Sequence, residues 1–142
     1  KYFILRTAWL YGDGKNFVKT MLRLSESHDK VTVVDDQVGS PTSAAELARM
    51  IHFLEPTENY GLFHATCEGS CSWADLAEET FRLAGKDTAV ERVSTEEYCR
   101  RNPNQAPRPA YSILENYMLR LTCDFRMADW KDALKEYMDT LH

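Results

Sequence analysis

The sequence predicts an α/β fold, on two observations. Short apolar or β-branched runs, Tyr2 to Leu5, Lys30 to Val34 and Gly61 to Thr66, alternate along the chain with segments whose apolar residues recur at helical spacing. Most of those helical segments open on a capping residue, and strands that alternate with capped helices imply a largely parallel sheet covered by helices.

Each element has a local reason. Tyr2-Phe3-Ile4-Leu5 is continuously apolar, as in a strand buried on both faces, and the strand is expected to end near Trp9 to Tyr11. The turn formers Gly12, Asp13 and Gly14 then deliver Asn16 to a helix with Phe17, Met21 and Leu24 on one stripe. Lys30 to Val34 reads as the second strand. Ser43 and Glu46 have capping-box spacing and open a helix to about Glu55, which Pro56 stops. After the third strand, Gly61 to Thr66, Ser72 and Asp75 repeat the capping signature ahead of a helix that Gly85 ends. Val90 to Val93 is a short strand, and Ser94 with Glu97 opens a brief helix through about Arg101. Three prolines make Asn102 to Pro109 an irregular loop. Tyr111 to Leu114 is extended, and from Asp129 the residues Trp130, Ala133, Leu134, Tyr137 and Leu141 form a closing amphipathic helix.

Composition narrows the function. With 142 residues, 44% hydrophobic and 27% charged, residues 1–142 read as a single unit able to enclose a core. No run approaches the roughly 20 apolar residues of a membrane span, so no membrane partner is expected. The net charge of −5, from 22 acidic and 17 basic residues, disfavours a phosphate backbone, so no nucleic acid is expected either. The four cysteines include no CxxC pair, and they read as reduced thiols of a cytoplasmic protein. The chain opens on Lys1 rather than methionine, which predicts a piece of a longer protein.

Local catalytic patterns are few. Gly12 and Gly14 lack the third glycine of a dinucleotide loop and read as a turn. Tyr11 and Lys15 have YxxxK spacing, but the glycines between them break the helix that such a pair requires. His28, His52, His64 and His142 have no ligand-spaced partners, so no metal site is expected, and no serine has nucleophile-elbow surroundings. More informative is a set at strand ends: Trp9, Tyr11, Asn16, Phe17, Asp35, Asp36 and Gln37. In open α/β sheets those ends face the ligand crevice, and flat rings with amides suit a base or a sugar. The plainer alternative makes Trp9 and Phe17 core residues and Gln37 a solvated loop amide.

Arg6-Thr7-Ala8-Trp9-Leu10-Tyr11-Gly12, Asn16-Phe17-Val18, Asp36-Gln37-Val38-Gly39-Ser40-Pro41-Thr42 and Arg108-Pro109 with Ser112 and Leu114 resemble, in order and spacing, the dTDP-4-dehydrorhamnose reductase family of extended short-chain dehydrogenases. The resemblance extends to Asp129-Trp130 and Ala133-Leu134 near the end. It implies the C-terminal part of an NAD(P)-binding Rossmann-like protein: its final strands plus a small mixed substrate-binding lobe. The glycine-rich cofactor loop and the catalytic tyrosine and lysine then lie outside this sequence, so no catalytic residue is expected here and the chain alone should be inactive.

The family reaction uses NADPH or NADH to reduce dTDP-4-dehydro-L-rhamnose. Carried over by position, the resemblance assigns the dTDP-sugar to Trp9, Tyr11, Asn16, Phe17, Gln37 and Arg108, with the Trp9 face against the sugar ring, and the nicotinamide border to Thr7 and Ala8. It leaves a homo-oligomer open. Cys67 to Trp73, with paired cysteines, departs from the family's small-residue turn and reads as a loop with accessible thiols. A second family member type, similar to the regulatory subunit of methionine adenosyltransferase, keeps this fold as a non-catalytic binding module and stays an alternative at this point.

Overall fold

A computed structural model describes residues 1–106 and 108–141. Pro107, inside the predicted irregular loop, and His142 lie outside the described residues. In chain order the elements are β1 (Phe3–Arg6), β2 (Leu10–Tyr11), α1 (Phe17–Ser25), β3 (Lys30–Val34), β4 (Val38–Gly39), β5 (Thr42–Ser43), α2 (Ala44–Leu54), β6 (Gly61–His64), β7 (Cys71–Ser72), α3 (Trp73–Ala84), β8 (Ala89–Val93), α4 (Thr95–Arg101), β9 (Tyr111–Ser112), α5 (Tyr117–Thr122) and α6 (Trp130–Asp139).

The expected α/β alternation is present, and most pairings are parallel. β1 runs beside β6 from Phe3↔Gly61 to Arg6↔His64, and β3 beside β8 from Lys30↔Ala89 to Val34↔Val93. β2 pairs with β5 in parallel, while β4 lies between β7, antiparallel, and β9, parallel. The strand expected to run from Tyr2 toward Tyr11 is therefore two short strands in different ladders. The break falls at Trp9, which has a φ of 48°.

Helix starts follow their capping residues. The Asn16 side chain accepts the Lys19 N–H at 3.0 Å, and Ser72 and Asp75 form a complete box, at 3.1 and 2.9 Å. The boxes expected at Ser43 and Ser94 are half-formed. Each serine accepts the N–H three residues on, but Glu46 turns to Arg49 and the Ala128 N–H, and Glu97 to Arg100 and Arg101. Helix α5 is absent from the sequence-based expectation. Asn116, which precedes it, makes no side-chain cap bond. It binds both backbone groups of Thr66 instead, at 3.1 and 2.7 Å.

Three apolar clusters fill the interior. The central one joins Tyr11, Val18, Leu76, Trp130 and Leu134, a second joins Met50, Phe63 and Leu119, and a third joins Met21, Val31, Val33 and Phe81. No helix among the described residues is long and apolar enough to cross a membrane.

Candidate functional site

A cavity of about 320 Å³ opens at the carboxyl end of β3, where Val33 and Val34 form part of its wall. Phe17, at the start of α1, and Trp73, at the start of α3, meet there with ring centroids 4.7 Å apart. Thr95 and Tyr98 of α4 face them, and Gln37 and Arg108 bring the polar chemistry from two loops. This is the crevice position that an open α/β sheet offers a ligand.

The loop after β3 is held from several sides. Arg92 of β8 binds Asp35 at 2.6 Å, Asp75 at 2.8 Å and Glu78 at 2.7 Å, and the Ser72 hydroxyl donates to Asp35 at 2.8 Å. Asp36 accepts the Thr95 hydroxyl at 2.6 Å and its backbone N–H at 2.9 Å. The Thr95 hydroxyl, foremost among these contacts, holds the Asp36 carboxyl below the usual carboxylate range. Gln37 donates its amide to Thr95 at 3.0 Å and is only 6% exposed. The solvated loop amide of the plainer alternative is thus a buried and oriented group.

The site residues expected from sequence divide into two groups. Phe17, Gln37 and Arg108 line one cavity, although 70 residues of chain lie between the last two. Trp9, Tyr11 and Asn16 do not line it. One face of the Trp9 indole stacks on Trp73, at 3.7 Å and 12°. A Cβ on Gly39 would stand 2.4 Å from Trp9 Cε2 and 2.7–2.8 Å from the two adjoining carbons, which puts the Gly39 backbone over the other face. Both faces of the half-buried Trp9 indole thus have a protein neighbour, and Trp9 backs the ring that faces the cavity.

Tyr11 is 3% exposed in the central cluster, and its hydroxyl has no partner among the described residues. Burial raises its pKa well above the ordinary phenol value, and it packs in the core. Asn16 spends its amide on the chain itself. Beyond the α1 cap, Nδ2 donates to the Gly12 carbonyl at 2.7 Å and to the Tyr137 hydroxyl at 3.0 Å, and that hydroxyl donates in turn to Gly12 at 2.8 Å.

Trp73, Thr95 and Tyr98 were not singled out from sequence. Trp73 occupies the buried stripe of its helix, where an apolar ring reads as core, and its one distinguishing signal is its place directly after the Ser72 cap. Thr7 and Ala8 follow β1, and the buried Thr7 hydroxyl lacks a partner among the described residues.

The paired cysteines also differ from expectation. Cys67 and Cys71 are buried rather than accessible, and burial pushes their thiols up to about 11 and about 12. Cys99 is half-buried at the cavity wall. Because the thiolate is the reactive form, iodoacetamide at neutral pH is expected to alkylate Cys99 first, and Cys67 and Cys71 only after denaturation. Peptide mapping by mass spectrometry checks this, and early modification of Cys67 or Cys71 contradicts it.

Comparison with known proteins bears on the fold and the family. A solved dTDP-4-dehydrorhamnose reductase from Clostridium acetobutylicum ATCC 824 is 55% identical, with a TM-score of 0.92 over 99% of this chain and 49% of that one. The dTDP-4-dehydrorhamnose reductase from Bacillus anthracis str. Ames, solved in complex with NADP, is 43% identical, with a TM-score of 0.91 over 100% of this chain and 49% of that one. The spore coat polysaccharide biosynthesis protein SpsK of Bacillus subtilis (strain 168) is 41% identical over 138 residues, 95% of this chain and 46% of that protein. The chain thus spans about half the length of these relatives. Residues 1–142 match the RmlD substrate binding domain throughout, so the motifs that end at the cavity and the parallel ladders that build it share one explanation: the chain belongs to the RmlD substrate binding domain family.

Proposed function

We propose that this chain is the substrate-binding, C-terminal portion of a dTDP-4-dehydrorhamnose reductase, a longer cytoplasmic protein that reduces dTDP-4-dehydro-L-rhamnose to dTDP-L-rhamnose with NADPH or NADH. The observation that carries the reading is the meeting of Phe17, Trp73, Gln37 and Arg108 around one cavity of about 320 Å³. A nucleoside diphosphate asks for that set. Ring faces suit its base, an amide suits the base edge, and a planar guanidinium fork suits phosphate oxygens.

The sugar then lies toward the Trp9 and Trp73 pair, which offers it the edge of Trp9. Thr7 and Ala8 border the nicotinamide: the buried Thr7 hydroxyl is free to take a partner there, and Ala8 leaves room for a ring. The nicotinamide, when bound, supplies the hydride for the 4-keto carbon. Residues 1–142 act in this as a single unit that binds and orients the sugar nucleotide. No feature of the site favours the non-catalytic alternative.

The test uses the intact protein. Arg108→Ala is expected to raise KM for dTDP-4-dehydro-L-rhamnose about thirtyfold, the scale of one lost charge-assisted contact, with kcat changed much less. Loss of reduced-nicotinamide absorbance gives both constants. The 142-residue chain by itself should oxidise no NADPH. An intact protein that neither binds dTDP nor oxidises NADPH in the presence of the keto sugar refutes the reading.

A further inference from the structure

We infer that Thr95 and Asp36 are positioning residues that fix which end of the Gln37 amide faces the cavity, and so select a base presenting an N–H donor, as thymine and uracil do and cytosine at the same ring position does not. The inference rests on the proposed sugar-nucleotide reading and adds a device that selects the base.

The argument is one of counting protons. A threonine hydroxyl has one proton to give, and an ionised carboxylate can only accept. Thr95 Oγ1 lies 2.6 Å from Asp36 Oδ1, so its proton is committed there, and the Thr95 backbone N–H reaches the same carboxylate at 2.9 and 3.0 Å. A third group that approaches Thr95 Oγ1 must therefore donate. Gln37 lies 3.0 Å away and satisfies this only with its NH₂ end toward the hydroxyl. The carbonyl end, Oε1, is left as an acceptor that no described residue uses, on a residue that is 6% exposed and lines the cavity.

An amide is nearly symmetric in shape, so without Thr95 it would turn over at little cost and serve either a donor or an acceptor. The chain Asp36, Thr95, Gln37 removes that freedom. The low pKa of Asp36 agrees, since the carboxylate stays ionised and never offers a proton that would reverse the chain. Asp36 is itself carried by the loop that Arg92 braces through Asp35. An imide N3–H meets the fixed acceptor, whereas the N3 lone pair of cytosine in the same seat faces another lone pair. That is the arrangement by which a polar pocket rejects a near-isostere.

The experiment measures the affinities of the intact protein for dTDP and dCDP by calorimetry, in wild type and in Thr95→Val and Thr95→Ser. Wild type is expected to prefer dTDP. Thr95→Val keeps the volume but loses the acceptor, and it should lower the dTDP to dCDP affinity ratio about tenfold, the scale of one oriented hydrogen bond. Thr95→Ser restores the hydroxyl and should keep the wild-type ratio. A merely structural role for Thr95 would weaken both nucleotides equally, and a constant ratio in Thr95→Val overturns the inference. Equal affinity of wild type for the two nucleotides also overturns it. Wild type that binds neither nucleotide refutes the sugar-nucleotide reading itself, an outcome distinct from the other two.

Discussion

Gly39→Ala is expected to lower the unfolding free energy by about 3 kcal/mol, the upper part of the range for forcing a methyl group into a filled core. The new Cβ would meet Trp9 Cε2 at 2.4 Å, Cζ2 at 2.7 Å and Cδ2 at 2.8 Å. The indole cannot retreat, because Trp73 is stacked on its far side at 3.7 Å. Displacing the pair also moves a wall of the cavity, so affinity for dTDP should fall together with stability. Urea unfolding measures the first effect and calorimetric titration the second. Adding Trp9→Leu, which removes the ring system that the new methyl group would meet, should recover part of the stability. A loss under about 0.5 kcal/mol in Gly39→Ala, the ordinary scale for surface changes, would mean that the indole is not confined as described.

Trp130→Ala should cost more, about 3–5 kcal/mol, the usual range for removing a buried aromatic side chain. Trp130 is 5% exposed and opens α6, where it packs in the cluster that joins Tyr11, Val18, Leu76 and Leu134. Its backbone N–H donates to the Glu68 carbonyl at 3.0 Å, and its Cδ1 lies so near Gly69 that a Cβ there would stand at 2.9 Å. The last helix is thereby fastened to the Cys67 to Trp73 segment. Set against a typical stability of about 5–15 kcal/mol, the loss should bring the variant near unfolding. Trp130→Phe keeps a ring and should lose markedly less. Equal melting temperatures for wild type and Trp130→Ala would exclude this helix from the cooperative core.

Much of the fold could be read from neighbours in sequence, and what could not depends on partners far along the chain. The strand Lys30–Val34 and the helix between Ser72 and Gly85 are governed by β-branched residues, a capping box and a left-handed glycine, all local. Helix α5 escaped because Asn116, the natural cap, is drawn to Thr66, fifty residues earlier. The half-formed boxes at Ser43 and Ser94 have a nearer origin, since Glu46 and Glu97 pair with arginines three or four residues on in their own helices, and Glu46 also accepts the distant Ala128 N–H.

The site divides along the same line. The family motifs pointed to Phe17, Gln37 and Arg108, and these meet at one cavity. Tyr11 and Asn16 belong to the same motifs, but Tyr137, near the other end of the chain, packs on one and hydrogen-bonds the other. Nothing in the spacing distinguishes a motif residue that lines the cavity from one that supports its neighbours. Trp73 shows the converse, because a ring that closes a pocket has the same helical phase as one that fills a core.

Trp9 is also the seam between two ladders. Upstream, β1 joins β6; downstream, β2 joins β5; and the crossing is made by a left-handed turn at a bulky residue, with φ of 48°. Such a conformation costs on the order of 1 kcal/mol for a residue other than glycine. Glycine in its place would relax the dihedral and leave the slot between Gly39 and Trp73 empty. A small side chain would keep the strain and still leave the slot unfilled. The position is thus under mechanical constraint of its own: the same wedge turns the polypeptide from one sheet into the next and props the wall of the cavity.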